Sequence, residues 1–175
     1  DAVGNVSAAG TQTVAIDTAV PDVPVISAVS TDNAVNAAEK TAGVVVSGTA
    51  EAGASVTVTW GSTVKTVTAT STGAWSTTFA SAEIPADAAT TISAVTTDAA
   101  GNASAAGTRA VTVDTAAPSA PTVNAVATDN IANATEKAAG VAVAGTAEAG
   151  ASVAVTWGST VKTVTASSTG DWTAT

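Results

Sequence analysis

The chain repeats itself with a period of 97 residues. Residues 17–78 align without a gap with residues 114–175, and 44 of the 62 aligned positions are identical. A repeat of this length is too long for a solenoid unit and is typical of a whole small domain in a tandem array. Near-identical domains in series generally supply length and number rather than chemistry, so the repeat favours an extended array.

The repeat also predicts the domain boundaries. Residues 1–16 correspond to 98–113 and are expected to be the last strand of a preceding domain. Residues 17–113 form one complete repeat, and 114–175 form the N-terminal two-thirds of a following one. The chain is therefore interpreted as a window cut from a longer polypeptide. An alternative is that the loose ends of neighbouring chains complete each other by strand donation.

Composition excludes several classes of partner. Fourteen acidic residues stand against five basic ones, a net charge of −9, which argues against binding to nucleic acid or to an anionic membrane surface. There is no cysteine, so disulfides and thiolate metal sites are excluded. The absence of disulfides indicates either a bacterial surface protein or a cytosolic one. No apolar run approaches the roughly 20 residues of a membrane span, so no membrane insertion is expected.

Glycine, proline, aspartate and asparagine punctuate short segments rich in valine and threonine, which predicts an all-β domain. Seven strands without helical periodicity, separated by closely spaced turn signals, indicate an Ig-like Greek-key β-sandwich, repeated in tandem. The alanine-rich stretch at 34–42 is the one candidate helix. The strands are expected at 23–30, 43–49, 54–60, 63–69, 74–79, 90–97 and 107–113.

Large side chains are few, and their positions along the strands predict that they fill the core. Trp60 shares its strand parity with Val56 and Val58, while Trp75 shares its parity with Phe79. Exposed tryptophans that bind sugars are the competing interpretation. The predicted core set, with its counterparts in the second repeat, is Trp60, Trp75, Phe79, Trp157 and Trp172.

Several motifs together resemble a known family. They are Asp17-Thr18-Ala19-Val20-Pro21, Asp32-Asn33 with Asn36-Ala37-Ala38-Glu39, residues 48–54, Gly73-Ala74-Trp75 and residues 97–102. The whole chain resembles the bacterial Ig-like repeats of giant biofilm-associated and type I-secreted (RTX-type) adhesins. The resemblance implies a stalk on a bacterial cell surface or a secreted protein, with Ca²⁺ often bound at the joints between domains. It also implies that the distal ligand belongs to a module outside this window.

Acidic residues are expected at the two poles of each sandwich, where one domain meets the next. Successive loops alternate between the poles, so one joint would gather Asp17, Glu51, Asp98 and Asn102, and the next would gather Asp114 and Glu148. Clustered carboxylates repel unless a cation neutralises them, and Ca²⁺ prefers such oxygen ligands. Without histidine or cysteine, zinc and copper sites are not expected. The alternative is that residues 98–102 form an ordinary Asx or glycine turn.

A second candidate cation site lies between the first two predicted strands. If residues 32–40 are helical, Asp32, Asn36 and Glu39 lie on one helix face. The alternative is that Asp32 caps a short helix while Glu39 is solvated. The corresponding residues of the second repeat are Asp129, Asn133 and Glu136.

Catalysis is not expected, because the chain has no histidine base, no cysteine nucleophile and no phosphate-binding glycine loop. The favoured function is a non-catalytic extender: Ig-like domains in series with Ca²⁺-rigidified joints, supporting adhesion or biofilm formation. The partners of each domain are then the neighbouring repeats of the same chain. Two alternatives remain, an Ig-like module that itself binds a glycan or host protein, and a structural matrix or filament subunit.

Overall fold

The computed structural model describes residues 2–175 and divides the chain into two compact units, the first ending at Thr115 and the second comprising Ala116–Thr175. In the first unit, two sheets enclose one hydrophobic core. The elements of this unit are β1 (Val25–Ile26), β2 (Ala34–Val35), α1 (Ala37–Ala42), β3 (Val44–Thr49), β4 (Ser55–Trp60), β5 (Thr63–Thr68), β6 (Ala74–Phe79), a 3-10 turn (Ser81–Glu83), β7 (Ala88–Thr97) and β8 (Gly107–Val113).

The smaller sheet has the strand order β1-β3-β6, and the larger has the order β2-β8-β7-β4-β5. Every pairing is antiparallel except that of β2 with β8, which is parallel. This architecture confirms the predicted all-β, Ig-like sandwich. Alternation along β4 buries Val56, Val58 and Trp60, while the intervening threonines face outward.

The first predicted strand, 23–30, is wrong in extent. The chain pairs with the smaller sheet only at β1 and then crosses to the larger sheet as β2. Between these strands, Ser30, Thr31 and Asn33 adopt positive φ values of 47°, 67° and 63°, a backbone conformation that cannot continue a strand. The side-chain carbonyl of Asn33 accepts a hydrogen bond from the Val29 N–H at 3.1 Å, which fixes the crossing.

The centre of the core is a contact between two aromatic rings from opposite sheets. Trp60 and Phe79 are both fully buried, with ring centroids 5.4 Å apart and an interplanar angle of 77°. Edge-to-face pairs of this kind contribute about 0.5–1.5 kcal/mol beyond the area they bury. Trp75 is also buried and packs in the same cluster. A few large rings therefore fill the space that the many alanines and valines leave.

Two basic side chains connect the sheets at the open sides of the sandwich. Lys65, on the edge strand β5, donates to the Thr78 carbonyl of β6 at 2.7 Å and pairs with Glu83 at 2.7 Å. Arg109, on β8, donates through Nη2 to the Ile26 carbonyl of β1 at 2.6 Å. Lys162 repeats the first contact in the second unit, where it donates to the Thr175 carbonyl.

The second unit contains β9 (Val143–Thr146) paired with β12 (Asp171–Ala174), and β10 (Ser152–Trp157) paired with β11 (Thr160–Thr165). A short helix, α2 (Ala134–Ala139), precedes them. Trp172 is buried with Val143, Val153 and Ala166.

Trp157 differs from the expectation that it lies in the core, because 53% of its surface is exposed. Its counterpart Trp60 is buried, and β7 lies beside it because β7 pairs with every residue of β4. Within the described residues 116–175, no strand has the position of β7 or β8. Trp157 therefore has no neighbouring strand on the side of β10 that β7 occupies beside β4.

Gly48 is required by the close approach of β1 to β3. A Cβ at this position would overlap the carbonyl oxygen of Val25 and lie 2.7 Å from the Trp75 ring. Gly145 meets the same neighbours in the second unit, the Thr122 carbonyl and the Trp172 ring.

Replacing Gly48 with alanine should destabilise the first unit by about 2–3 kcal/mol, because the added methyl group must displace backbone as well as a ring. Urea denaturation followed by circular dichroism would measure the loss. Gly10→Ala is the matched control, since no atom lies within 4 Å of a Cβ at that position and its φ is not positive. Equal midpoints for the two variants would contradict this account of Gly48.

Candidate functional site

The loops of the first unit gather at two opposite poles. At the entry pole, defined by residues 50–53, 70–73 and 98–102, the Ala50 N–H donates to the Gly73 carbonyl at 2.9 Å. Ser55, which follows the first of these loops, pairs with Thr97, which precedes the last. The exit pole comprises residues 36–43, 61–62, 83–87 and 114–115, where Lys40 donates to the Pro85 carbonyl at 2.8 Å, Gly61 lies against Pro85 and Thr115 donates to Asp87. This alternation of loops between the poles confirms the arrangement predicted from the sequence.

At the entry pole, Asp98 organises the loop after β7. Its Oδ1 accepts the N–H groups of Ala100 at 2.9 Å and of Asn102 at 2.8 Å, and its Oδ2 accepts the Asn102 side-chain amide at 2.8 Å. The hydrogen bond from the Asn102 side chain is the main reason that the pKa of Asp98 lies below its usual value. The Asx turn that was the alternative to a cation site is therefore present, and its carboxylate is held in the charged form.

Asn102 also connects this loop to the incoming segment. Its side-chain amide donates to the main-chain carbonyl of Asp17 at 3.2 Å, across 85 residues of sequence. The Asp17 carboxylate accepts the N–H of Ala19 at 3.0 Å. Three of the four residues predicted for this joint, Asp17, Asp98 and Asn102, are thus brought together. Glu51 lies elsewhere on the pole, on the rim of a shallow cleft that also includes Asp22.

The donor set at this pole consists of oxygen atoms, the ligand type that Ca²⁺ prefers. A cation held by the Asp98 carboxylate and the Asp17 carbonyl would have to displace the Asn102 side-chain amide, which now donates to both. Among residues 2–175, no three acidic, histidine or cysteine side chains converge closely enough to form a metal cluster. The cation assignment stays a prediction.

The helical premise of the second candidate cation site does not hold. Helix α1 begins at Ala37 rather than at residue 32, so Asp32 lies outside it and accepts the Ala34 N–H at 2.9 Å. Asn36 is the N-cap, and the Glu39 carboxylate accepts the Asn36 N–H at 3.0 Å, forming a capping box. The cap is therefore Asn36 and not Asp32, and Glu39 is bonded rather than merely solvated.

The second unit repeats this arrangement. Asn133 caps α2, Glu136 accepts the Asn133 N–H at 2.9 Å, and Asp129 accepts the Ile131 N–H at 2.9 Å. In both units the three side chains serve local backbone groups. A cation at either position would have to compete with these hydrogen bonds.

At the exit pole, Asp87 is a site residue that sequence reasoning missed. Its carboxylate accepts the Thr115 N–H at 3.0 Å and the Thr115 hydroxyl at 2.8 Å, and Lys40 lies 4.0 Å away. The Thr115 N–H, then its hydroxyl, and to a smaller extent Lys40, hold the pKa of Asp87 below its usual value. The recurrence of Asp-Thr at 17–18 and 114–115 was the one sequence signal that could have indicated a role for Thr115. It does not identify Asp87, which lies 28 residues before Thr115 in the chain.

Two further residues of the predicted joints belong to different units. Asp114 continues the pairing of β2 with β8, since its N–H donates to the Val35 carbonyl at 3.0 Å. Glu148 lies in the turn before β10, where its carbonyl accepts the Ala151 N–H at 3.0 Å. Their meeting at one joint stays a prediction.

Replacing Asp98 with asparagine should destabilise the first unit, because a charged acceptor of three hydrogen bonds becomes neutral. The folded-state pKa of Asp98 is lowered from 3.8, so its contribution is complete above that value and is lost as the pH falls through the folded-state pKa. The difference in urea midpoint between the native chain and the variant should therefore shrink between about pH 7 and about pH 3.

Glu51→Gln is the control for this experiment. It removes a charge from the same pole, but in the described part of the chain no hydrogen bond to the Glu51 carboxylate is found. It should leave the midpoint nearly unchanged at both pH values. A difference for Asp98→Asn that persists unchanged at the lower pH would show that the charged form is not what stabilises the loop.

Residues 38–114 match the model of a family described as the bacterial Ig domain. None of the curated proteins is significantly similar to the chain. No helix in residues 2–175 combines the length and the apolar character that a membrane crossing needs.

Solved structures of bacterial adhesins are similar to the chain. One is a Ca²⁺-stabilised adhesin that helps an Antarctic bacterium reach out and bind ice. Its sequence is 34% identical, the match covers 99% of this chain and 45% of the adhesin chain, and the TM-score is 0.52. A 1.5-MDa bacterial ice-binding adhesin, studied for host cell surface retention, is 25% identical, with coverages of 86% and 52% and a TM-score of 0.55. An immunoglobulin-like domain of the M. primoryensis ice-binding adhesin is 32% identical, with coverages of 55% and 100% and a TM-score of 0.46.

The chain thus spans about half the length of the first two of these structures. The matched segment 38–114 includes most of the first sandwich, from α1 to the end of β8. The resemblance to bacterial Ig-like adhesin repeats that the sequence motifs indicated is confirmed. Residues 38–114 therefore belong to the bacterial Ig domain family.

Proposed function

We propose that the chain is a non-catalytic extender, or stalk, segment of a large bacterial cell-surface adhesin. In this proposal, residues 17–113 are one complete repeat, flanked by part of a preceding repeat (1–16) and part of a following one (114–175). The segment is extracellular and holds a distal ligand-binding module away from the cell, in support of adhesion or biofilm formation. Its similarity to a Ca²⁺-stabilised adhesin that reaches out to bind ice supports this function.

One structural observation carries the proposal: hydrogen bonds attach the chain to the sandwich where it enters and where it leaves. Asn102 holds the Asp17 carbonyl at the entry pole, and Asp87 holds Thr115 at the exit pole. Anchored linkers lose conformational freedom, so the hinge between successive domains shortens to the few residues outside these contacts. Short hinges favour an extended array over a collapsed one.

The acidic poles give the joints a dependence on cations. A domain series with like charges at each joint repels itself, and a bound Ca²⁺ would cancel that repulsion and order the linker. By mass action, an ion at ten times its dissociation constant stabilises the fold that binds it by about 1.4 kcal/mol. Affinities of about 10⁻⁴–10⁻³ M would leave the joints loose in a calcium-poor cytosol and firm outside the cell.

Calcium at about 10⁻³ M, the upper end of the affinity range for extracellular modules, should raise the melting temperature of the chain and increase its maximum dimension. Small-angle scattering and thermal denaturation, each with Ca²⁺ and with EDTA, would measure both effects. Mg²⁺ should be a poor substitute because it requires a compact octahedral site and releases water reluctantly.

Asp98→Asn should abolish the part of the calcium binding that belongs to the entry pole, measured by titration calorimetry. Asp171→Asn is the matched control, since it removes one carboxylate from β12, where its side chain accepts the Thr169 hydroxyl at 2.7 Å. Scattering curves that are identical with Ca²⁺ and with EDTA would exclude the joint mechanism, while leaving the extender function to be judged from the length of the array.

A further inference from the structure

The strands that connect the first unit to the rest of the chain lie side by side. The incoming chain leads into β1 and β2, and the outgoing chain follows directly from β8. β2 pairs with β8 through Ala34 opposite Thr112 and Val35 opposite Val113. A pull on the chain at both ends of the unit therefore acts on two strands that are hydrogen-bonded to each other.

The parallel direction of this pair decides how a pull is resisted. Both strands run from the entry pole to the exit pole, so the incoming chain draws β2 backward while the outgoing chain draws β8 forward. The Thr112 N–H donates across the pair to the Asn33 carbonyl at 2.9 Å. The Asp114 N–H donates to the Val35 carbonyl at 3.0 Å. Because these bonds cross the direction of sliding, they are loaded together rather than one after the other.

The Arg109 side chain adds a second connection between the incoming and outgoing segments. Its Nη2 and Nε both donate to the Ile26 carbonyl, at 2.6 Å and 3.2 Å. Ile26 ends β1, which belongs to the opposite sheet, and the partial burial of the guanidinium strengthens these charged hydrogen bonds. Close to this contact, Gly107 lies so near the Pro24 carbonyl that a Cβ would overlap it.

The loop between β1 and β2 transmits the pull because it is closed by its own hydrogen bonds. The Asn33 N–H donates to the Val29 carbonyl at 2.7 Å, in addition to the bond between the Val29 N–H and the Asn33 side chain. Residues 29–33 thus form a compact loop with little slack between the two strands. Tension that enters through β1 is therefore passed on to β2.

We propose that the β2–β8 pair and Arg109 form a tension lock, the part of the first unit that keeps it folded when the chain is pulled at both ends. The proposal rests on the extender function, because a stalk that holds a distal module carries tension. Under load, β2 and β8 separate first, while the remainder of the core is still packed. No carboxylate takes part in the contacts of the lock, so it acts without Ca²⁺.

The direction of pulling tests the lock in single-molecule force measurements with cysteine handles, which are specific because the native chain has no cysteine. Handles at Thr18→Cys and Ala117→Cys pull along the chain and load the lock by sliding. Handles at Ala37→Cys and Ala117→Cys both lie near the exit pole and open the β2–β8 pair from one end. In EDTA and at equal force, the folded lifetime should be at least about tenfold longer in the first arrangement, because two hydrogen bonds must break together.

Substitutions at Arg109 test its share of the lock in the first arrangement. Arg109→Met keeps an unbranched stem without donors and should shorten the lifetime under load at least about fivefold, the equivalent of one hydrogen bond. Arg109→Lys retains one charged donor and should restore part of the lifetime. Val58→Ala is the control: Val58 is fully buried on β4, so its loss should lower the urea midpoint. Its contacts persist while β2 and β8 separate, so the lifetime under load should be nearly unchanged.

Equal lifetimes in the two pulling arrangements would overturn the proposal. So would an unchanged lifetime for Arg109→Met, or an equal loss for Val58→Ala, since resistance to force would then follow the overall stability of the fold. None of these outcomes bears on the extender function, which the scattering measurements with Ca²⁺ and with EDTA judge separately and without applied force.

Discussion

The structure depends on one constraint: a sheet of alternating valine and tryptophan must have a second layer over its apolar face. In the first unit this layer brings Phe79 edge-on to Trp60, and the small side chains around the pair close the remaining space. Because alanine and valine bury little area each, the two rings have a large share of the core. Neighbouring strands within the same sheet matter as well, since Trp157, which has no counterpart of β7 beside it in the described residues, is half-exposed.

The sequence was sufficient for most of the fold, because its turns use residues with strong local preferences. Gly61 and Gly73 adopt positive φ values at the predicted turns, and the strands next to these turns, β4, β5 and β6, have nearly the expected bounds. The failures involve non-local pairing. The chain leaves one sheet after Ile26 and joins the other at Ala34, and a two-residue strand beside β8 gives no periodic signal.

The candidate site was predictable in position but not in detail. The alternation of loops places Asp17, Asp98 and Asn102 at one pole. The sequence did not show that both carboxylate oxygens of Asp98 accept hydrogen bonds from N–H groups of the same loop. Asp87 could not be identified, since nothing in the residues around it indicates a partner 28 positions later. The second candidate cation site was wrong in its geometry because α1 begins at Ala37 rather than at residue 32. Asp32 therefore lies outside the helix and does not share a helix face with Glu39.

Lys65 has a consequence for how an array of near-identical domains stays correctly folded. Neighbours with the same strands, tethered at high local concentration, risk pairing with each other through unprotected sheet edges. Lys65 places a charge on the edge strand β5 while its ammonium group is held by Thr78 and Glu83. A foreign strand approaching that edge must first displace this ammonium group, so the side chain that joins the two sheets also protects each domain from misassembly with its copies.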